Sequence, residues 1–251
     1  TRVRSSAASD VYKRQVLDTA AAGAVNGNNF TTQPVVKLLD ADDNLTTSTA
    51  TVSISVSAGV ASGNAVLGGT FSLAATAGTA SFSTVKLTGT VDTYVLTYSS
   101  TGLSNITQSL AVSIGAPTQL ILTTQAAGFA NRTNFTTQPV VSVADIGGNV
   151  VTASSASIAV AISSANLTGT TTVNAVNGVA DWATAATALG KNGTIGSKTL
   201  TFSSSGLTDA TQTFTLTHGV PFQLAMTSPS TLVNDTVFGT QPVVTIQDQD
   251  G

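Results

Sequence analysis

Cysteine is absent from this sequence, and so is glutamate. Without cysteine there can be no disulfide and no thiolate metal site, although many exported bacterial proteins also lack it, so the compartment stays open. A single histidine, His218, leaves no His-based metal cluster and no obvious Ser-His-Asp arrangement. Charged residues make up only 8% of the chain, and nine are Lys or Arg. That is too few for the basic patches that nucleic acid and anionic membranes require. Aromatics are scarce at 5%. Mean hydropathy is +0.29, yet no apolar run approaches the roughly 18 residues of a membrane span. Near the N-terminus, Lys13-Arg14 is followed by Val16-Leu17 and at once by Asp18-Thr19, so the apolar core of a signal peptide is missing. What is abundant is threonine, at 44 of 251 residues. Thr and Val favour strands, whereas Glu and Lys, the good helix formers, are absent or rare. The expected class is all-β.

The first fifteen residues stand apart. SSAASDVYKRQ (5–15) lacks the rhythm of the rest and carries two of its few cations. It resembles, residue for residue, the translation of a transposase adapter used in sequencing libraries. Residues 1–15 are therefore expected to be adapter-derived and non-native, and their removal to leave stability unchanged. The remainder is expected to be a piece of a reading frame from environmental DNA. Residues 16–251 hold five cations and eleven aspartates, a net charge of −6.

Those 236 residues repeat. NFTTQPVVKLLDADDN (29–44) returns as NFTTQPVVSVADIGGN (134–149) and as VFGTQPVVTIQDQDG (237–251). TYSSTGLSNITQSLAVSIGAP (97–117) returns as TFSSSGLTDATQTFTLTHGVP (201–221), and LGGTFSLAATAGTASF (67–82) as LTGTTTVNAVNGVADW (167–182). The offsets run from 100 to 105, which places the length changes in loops. Within each unit the apolar residues alternate. Val36/Leu38, Val141/Val143 and Val244/Ile246 share one face, with Lys37, Ser142 and Thr245 on the other. Val52/Ile54/Val56, Leu96/Tyr98 and Leu110/Val112 follow suit, as do their counterparts in the second unit. About seven strands in about 104 residues predict tandem immunoglobulin-like β-sandwich domains.

The D-x-x-G-N turn after a QPVV strand, the G-T-x…G-x-A-x-F/W hairpin and the closing S-x-G-L…T strand resemble bacterial Ig-like repeats. These are the intimin/invasin-type modules of surface and secreted proteins. The expected boundaries are Ig-like repeat 1 at 16–114 (first strand truncated), repeat 2 at 115–218, and a partial repeat 3 at 219–251. Pro117 and Pro221 suggest semi-rigid linkers.

Three features carry candidate chemistry. Asp40, Asp145 and Asp248 recur at the exit of the QPVV strand. One reading is an Asx-type turn, with the carboxylate accepting backbone N–H groups. The other is calcium, a hard cation seeking six to eight oxygens, held by Asp40, Asp42, Asp43 and Asn44. Trp182 aligns with Phe82 and is expected in a core, not on a sugar-stacking platform. His218 aligns with Ile114 at core parity of the last strand, beside the linker. N-x-T triplets, among them Asn131, arise by chance in so Thr-rich a chain. A Lys–Asn isopeptide crosslink would require a buried acid beside the lysine.

The resemblance implies a non-catalytic spacer: a stalk of a large bacterial surface or secreted protein, extracellular or at the cell surface, with no membrane insertion in this stretch. Its expected partners are neighbouring repeats of the same chain. Two further readings are a binding array whose loops recognise a host surface protein or carbohydrate, and the accessory stalk of a secreted enzyme.

Overall fold

A computed structural model describes residues 14–57, 59–61, 63–229 and 234–249. The fold is all-β, with one short 3-10 turn at Trp182–Thr184. The chain divides into two compact units. Of the described residues, the first holds those up to Thr118 together with Ala144–Val151, and the second holds Gln119–Val143 and those from Thr152 onward.

In the first unit one sheet orders the strands Arg14–Thr19, Val35–Leu39 and Thr79–Ser81. The facing sheet runs Ala24–Val25, Ile106–Ser113, Thr93–Ser100, Thr51–Val56, Ser72–Ala74. All pairings are antiparallel except that of Ala24–Val25 with Val112–Ser113. Between the sheets lie Phe30, Val36, Leu38, Val52, Ile54, Phe82, Leu87, Tyr94, Leu96 and Tyr98. The second unit repeats the plan, with Gln119–Thr124, Val140–Ala144 and Val179–Asp181 against Thr172–Asn174, Ser157–Ile162, Gly196–Ser203 and Ala210–Leu216. Its core includes Phe135, Val141, Val143, Ile158, Trp182, Leu200, Phe202 and Phe214. Each core lies within one repeat of the sequence.

The period-2 reading explains most of this. In Thr93–Ser100 burial alternates residue by residue, with Tyr94, Leu96, Tyr98 and Ser100 inward. The strand Val140–Ala144 departs from it, because Ser142 and Ala144 are buried along with Val141 and Val143. The middle hairpins turn through Ala77-Gly78 and Asn177-Gly178, all four with positive φ. That is the two-residue turn whose twist suits a hairpin.

The expected boundary after residue 15 falls inside a strand. The first strand begins at Arg14, and Gln15 pairs with Leu38. Gln15 is buried, and its amide donates to the carbonyls of Tyr98 and Ser104 at 2.9 and 2.8 Å. Residues 14 and 15 therefore belong to the fold whatever their origin. By the repeat alignment Gln15 stands at the place of Leu120, a core residue of the second repeat. Its Oε1 is buried without a partner. Residues 1–13 lie outside the described residues.

Residues 219–249 pair Gln223–Met226 with Val244–Gln247. Leu224, Met226, Val244 and Ile246 are 56–72% exposed, while their equivalents Leu120, Val141 and Val143 are buried. The strand pattern is there without a facing sheet among the described residues.

Candidate functional site

The recurring aspartate of the QPVV strand is where the repeats concentrate their polar chemistry. In the first repeat, Asp40 Oδ1 accepts the backbone N–H of Asp42 and of Asn44, both at 2.9 Å. The Asn44 amide sits 3.3 Å from both carboxylate oxygens. In the second, Asp145 Oδ1 accepts from the N–H of Gly147 and Asn149 at 2.9 and 3.0 Å. This is an Asx-type turn, and the carboxylate replaces backbone partners that the reversing chain has lost. One residue of each turn has positive φ: Asp43 at 67° and Gly148 at 83°. Aspartate is among the few side chains that tolerate that region.

Asp145 does more than close its turn. Its segment, Ala144–Val151, belongs to the first unit. There Asp145 Oδ2 accepts from the Asn26 side-chain amide and from the N–H of Gly115, each at 2.9 Å. Asn26 is buried, and it is held in turn by Gly89. It donates to the Gly89 carbonyl at 2.7 Å and accepts the Gly89 N–H at 3.0 Å. Asn149 completes the clamp by donating to the same Gly89 carbonyl and accepting from Val91 N–H at 2.8 Å. Thr118 N–H adds a bond to the carbonyl of Ala144. A fully buried carboxylate is costly unless its lone pairs are filled, and here donors surround it. Burial pushes the Asp145 carboxyl up, but the N–H of Gly115 and Asn149 and the amides of Asn149 and Asn26 outweigh it and hold it below the ordinary value.

The same device recurs in the second unit. Asp248 Oδ2 accepts from Gly219 N–H at 2.8 Å and from the Asn131 side-chain amide at 3.5 Å. Asn131 is almost fully buried and accepts the Gly193 N–H at 3.1 Å. Asn26, Gly115 and Asp145 thus correspond to Asn131, Gly219 and Asp248. The turn was legible in the sequence; the asparagine and glycine were not singled out. A signal existed: Asn26, Asn131 and Asn234 each lie four residues before the phenylalanine of the motif, and the aspartate follows ten residues after it. Asn131 is thereby a clamp residue and not merely part of a chance N-x-T triplet.

The four residues proposed for calcium are adjacent but separately engaged. Asp40 is turned onto its own amides, and these hold its carboxyl below the usual value, the N–H of Asn44 first among them. Asp43 pairs with Arg14, at 2.7 Å from Nε. Asp42 lends the turn its amide and exposes its side chain. Among the described residues no group of three or more His, Cys, Asp or Glu is arranged to hold a metal ion.

Trp182 is fully buried, stacks edge-on against Phe202 at 5.4 Å and donates its indole N–H to Thr170. His218 is exposed, not at a core position, because the last strand ends at Leu216. Lys191 is buried where the first repeat has Leu87, and no local sequence pattern marks it. Its ammonium is satisfied by the carbonyls of Gly128 and Thr133 and lies 4.5 Å over the Phe135 ring. Burial lowers its pKa to about 8.

No protein-family model and no curated protein matches the sequence. Solved structures do match. The Escherichia coli adhesin FdeC is 15% identical, with 95% of this chain and 74% of that one covered and a TM-score of 0.37. The D0-D1 domain of intimin is 15% identical, covering 80% and 96%, at 0.28. A β-glycosidase from Bacteroides vulgatus is 11% identical, covering 81% and 25%, at 0.34. This chain spans about a quarter of the glycosidases it matches. At these identities the likeness concerns fold alone. No helix among the described residues is long and apolar enough to cross a membrane.

Proposed function

We propose that this chain is a non-catalytic spacer, a stretch of tandem Ig-like repeats that holds other parts of a bacterial surface or secreted protein at a set separation. The observation that carries this reading is the recurring clamp. Twice, an aspartate from the opening strands of one repeat is bonded to an asparagine of the repeat before it in sequence and to the glycine at the junction between the two. Every repeat that supplies such an aspartate restrains the chain that precedes it, and this is what a spacer needs and an isolated binding module does not. Charge-assisted bonds of this kind, shielded from water, are worth more than surface ion pairs.

The cysteine-free chain makes the test direct. Thr101→Cys and Ser205→Cys place labels on equivalent exposed loops of the two repeats. Single-molecule energy transfer between them is expected to give one narrow distance distribution, and Asp145→Ala is expected to broaden it. A broad distribution in the parent chain overturns the spacer reading.

A further inference from the structure

We infer that the Asp40 turn is itself a docking plug, built to seat on the rim of another Ig-like module that carries an asparagine, a neighbouring cation and a post-strand glycine, as Asn131, Arg132 and Gly219 do. The inference rests on the spacer reading and extends it to a surface whose partner is not among the described residues.

Asp40 occupies the place of Asp145 and Asp248 in the repeat and has the internal turn geometry of Asp145. One carboxylate oxygen is committed to the turn's own N–H groups. In Asp145 and Asp248 the other oxygen receives an asparagine amide and a glycine N–H. In Asp40 that oxygen meets only the Asn44 amide, at 3.3 Å. The carboxylate is thus pre-oriented by its turn, and its second oxygen has a single side-chain donor on a half-buried residue followed by exposed neighbours.

The two occupied rims show which kind of module fits. The rim at Asn26 has Gly27 beside it and receives Asp145-Ile146-Gly147-Gly148, an uncharged turn. It tolerates nothing larger than glycine at 147, where a Cβ would lie 2.0 Å from the Gly89 carbonyl and 2.2 Å from the Asn26 amide. The rim at Asn131 has Arg132 beside it, and the aspartate it receives is followed in sequence by Gln249-Asp250-Gly251. The first repeat's turn, Asp40-Ala41-Asp42-Asp43, has aspartate at the position of Gly147. It therefore belongs with the second kind: it collides with a rim like that of Asn26 and complements one that carries an arginine.

The test adds such a rim. Residues 119–224 are joined directly to Val16 of the chain, in place of residues 1–15, so that Leu224 stands where Gln15 was and the added copy's Asn131, Arg132 and Gly219 precede the first repeat. Amide exchange of the added copy's Gly219 is the readout. Docking predicts that Asp40→Asn speeds that exchange at least tenfold, and that Asn131→Ala in the added copy alone, which leaves the Asp40 turn intact, does the same. Arg132→Gly there is expected to have a smaller effect, about threefold. Exchange within twofold of the parent in both Asp40→Asn and Asn131→Ala overturns the inference. The Asp145→Ala distance measurement reports the spacer reading independently, so one can fail while the other stands.

Discussion

The first two repeats share strand order, turn chemistry and clamp, yet fill equivalent interior positions with different chemistry. Where the first repeat has Tyr94, Tyr98 and Leu87, the second has Lys198, Phe202 and Lys191. All six are buried. The polar ends find different partners. Tyr94 donates to the Thr90 carbonyl and Tyr98 to Gln108, while Lys198 donates to Ser164 and Lys191 to a ring of carbonyls. The sandwich requires volume at these places, and a partner for whatever polar tip the residue brings, not a particular residue. A lysine with no carboxylate beside it is the costlier solution, because its charge leaves water for neutral oxygens.

The largest difference between the repeats is expected at Trp182. As the only tryptophan, it also reports on the second repeat alone. Trp182→Ala should remove about 3–5 kcal/mol from that repeat and leave the first repeat's unfolding unchanged in urea, followed by amide exchange of Leu96 and Leu200. Loss of both together would mean that the cores are not separate.

Next in size is Asp145→Asn, which keeps the shape but removes the charge from a fully buried acceptor. About 2 kcal/mol should be lost from the first unit, and acid should do the same to the parent. The folded carboxyl is held below its ordinary value, so its contribution is present above about pH 4 and fades as pH falls through the folded value. Melting between pH 6 and 2 checks this.

Alkali should then separate the repeats. Folded Lys191 releases its proton near pH 8, the unfolded chain near 10.5. Between these values the unfolded chain binds the extra proton, so the second repeat gains stability as pH rises, on the order of 1 kcal/mol. Tyr98 in the first repeat has its pKa raised by burial to about 12, against 10 unfolded. Its contribution is intact below pH 10 and is lost as pH climbs toward 12. Tryptophan fluorescence and tyrosine absorbance melts should diverge accordingly, and Lys191→Leu should abolish the gain.

A smaller effect is expected at Gln15→Leu, which installs the apolar residue found at Leu120 and removes the unpartnered Oε1. The gain should be about 1 kcal/mol or less, since the carbonyls of Tyr98 and Ser104 lose a donor. Removing residues 1–15 should instead destabilise the first repeat. The smallest effect is expected from calcium. With Asp40 and Asp43 already engaged, millimolar Ca²⁺ should leave the melting temperature unchanged, and a rise abolished by Asp42→Asn would decide for the metal reading.

Much of the fold was legible because strand periodicity is local: Val36 and Leu38 must share a face, and so must Leu96 and Tyr98. The aspartate turns were legible for the same reason, since donor and acceptor lie within four residues. The clamp was not. Asn26 and Asp145 are 119 residues apart, and nothing in either neighbourhood says that they meet.

By itself, then, the sequence determined an all-β chain, its repeat unit, its core faces and its turns, since each follows from the stereochemistry of a few adjacent residues. The tertiary structure alone decided three further things: that Gln15 enters the first core, that Lys191 is buried among carbonyls, and that Asp145 and Asp248 each close on an asparagine and a glycine far away in the chain. The physical reason is that a buried polar group is stable only when its whole set of partners is in place, and that set is assembled by packing, not by sequence neighbours.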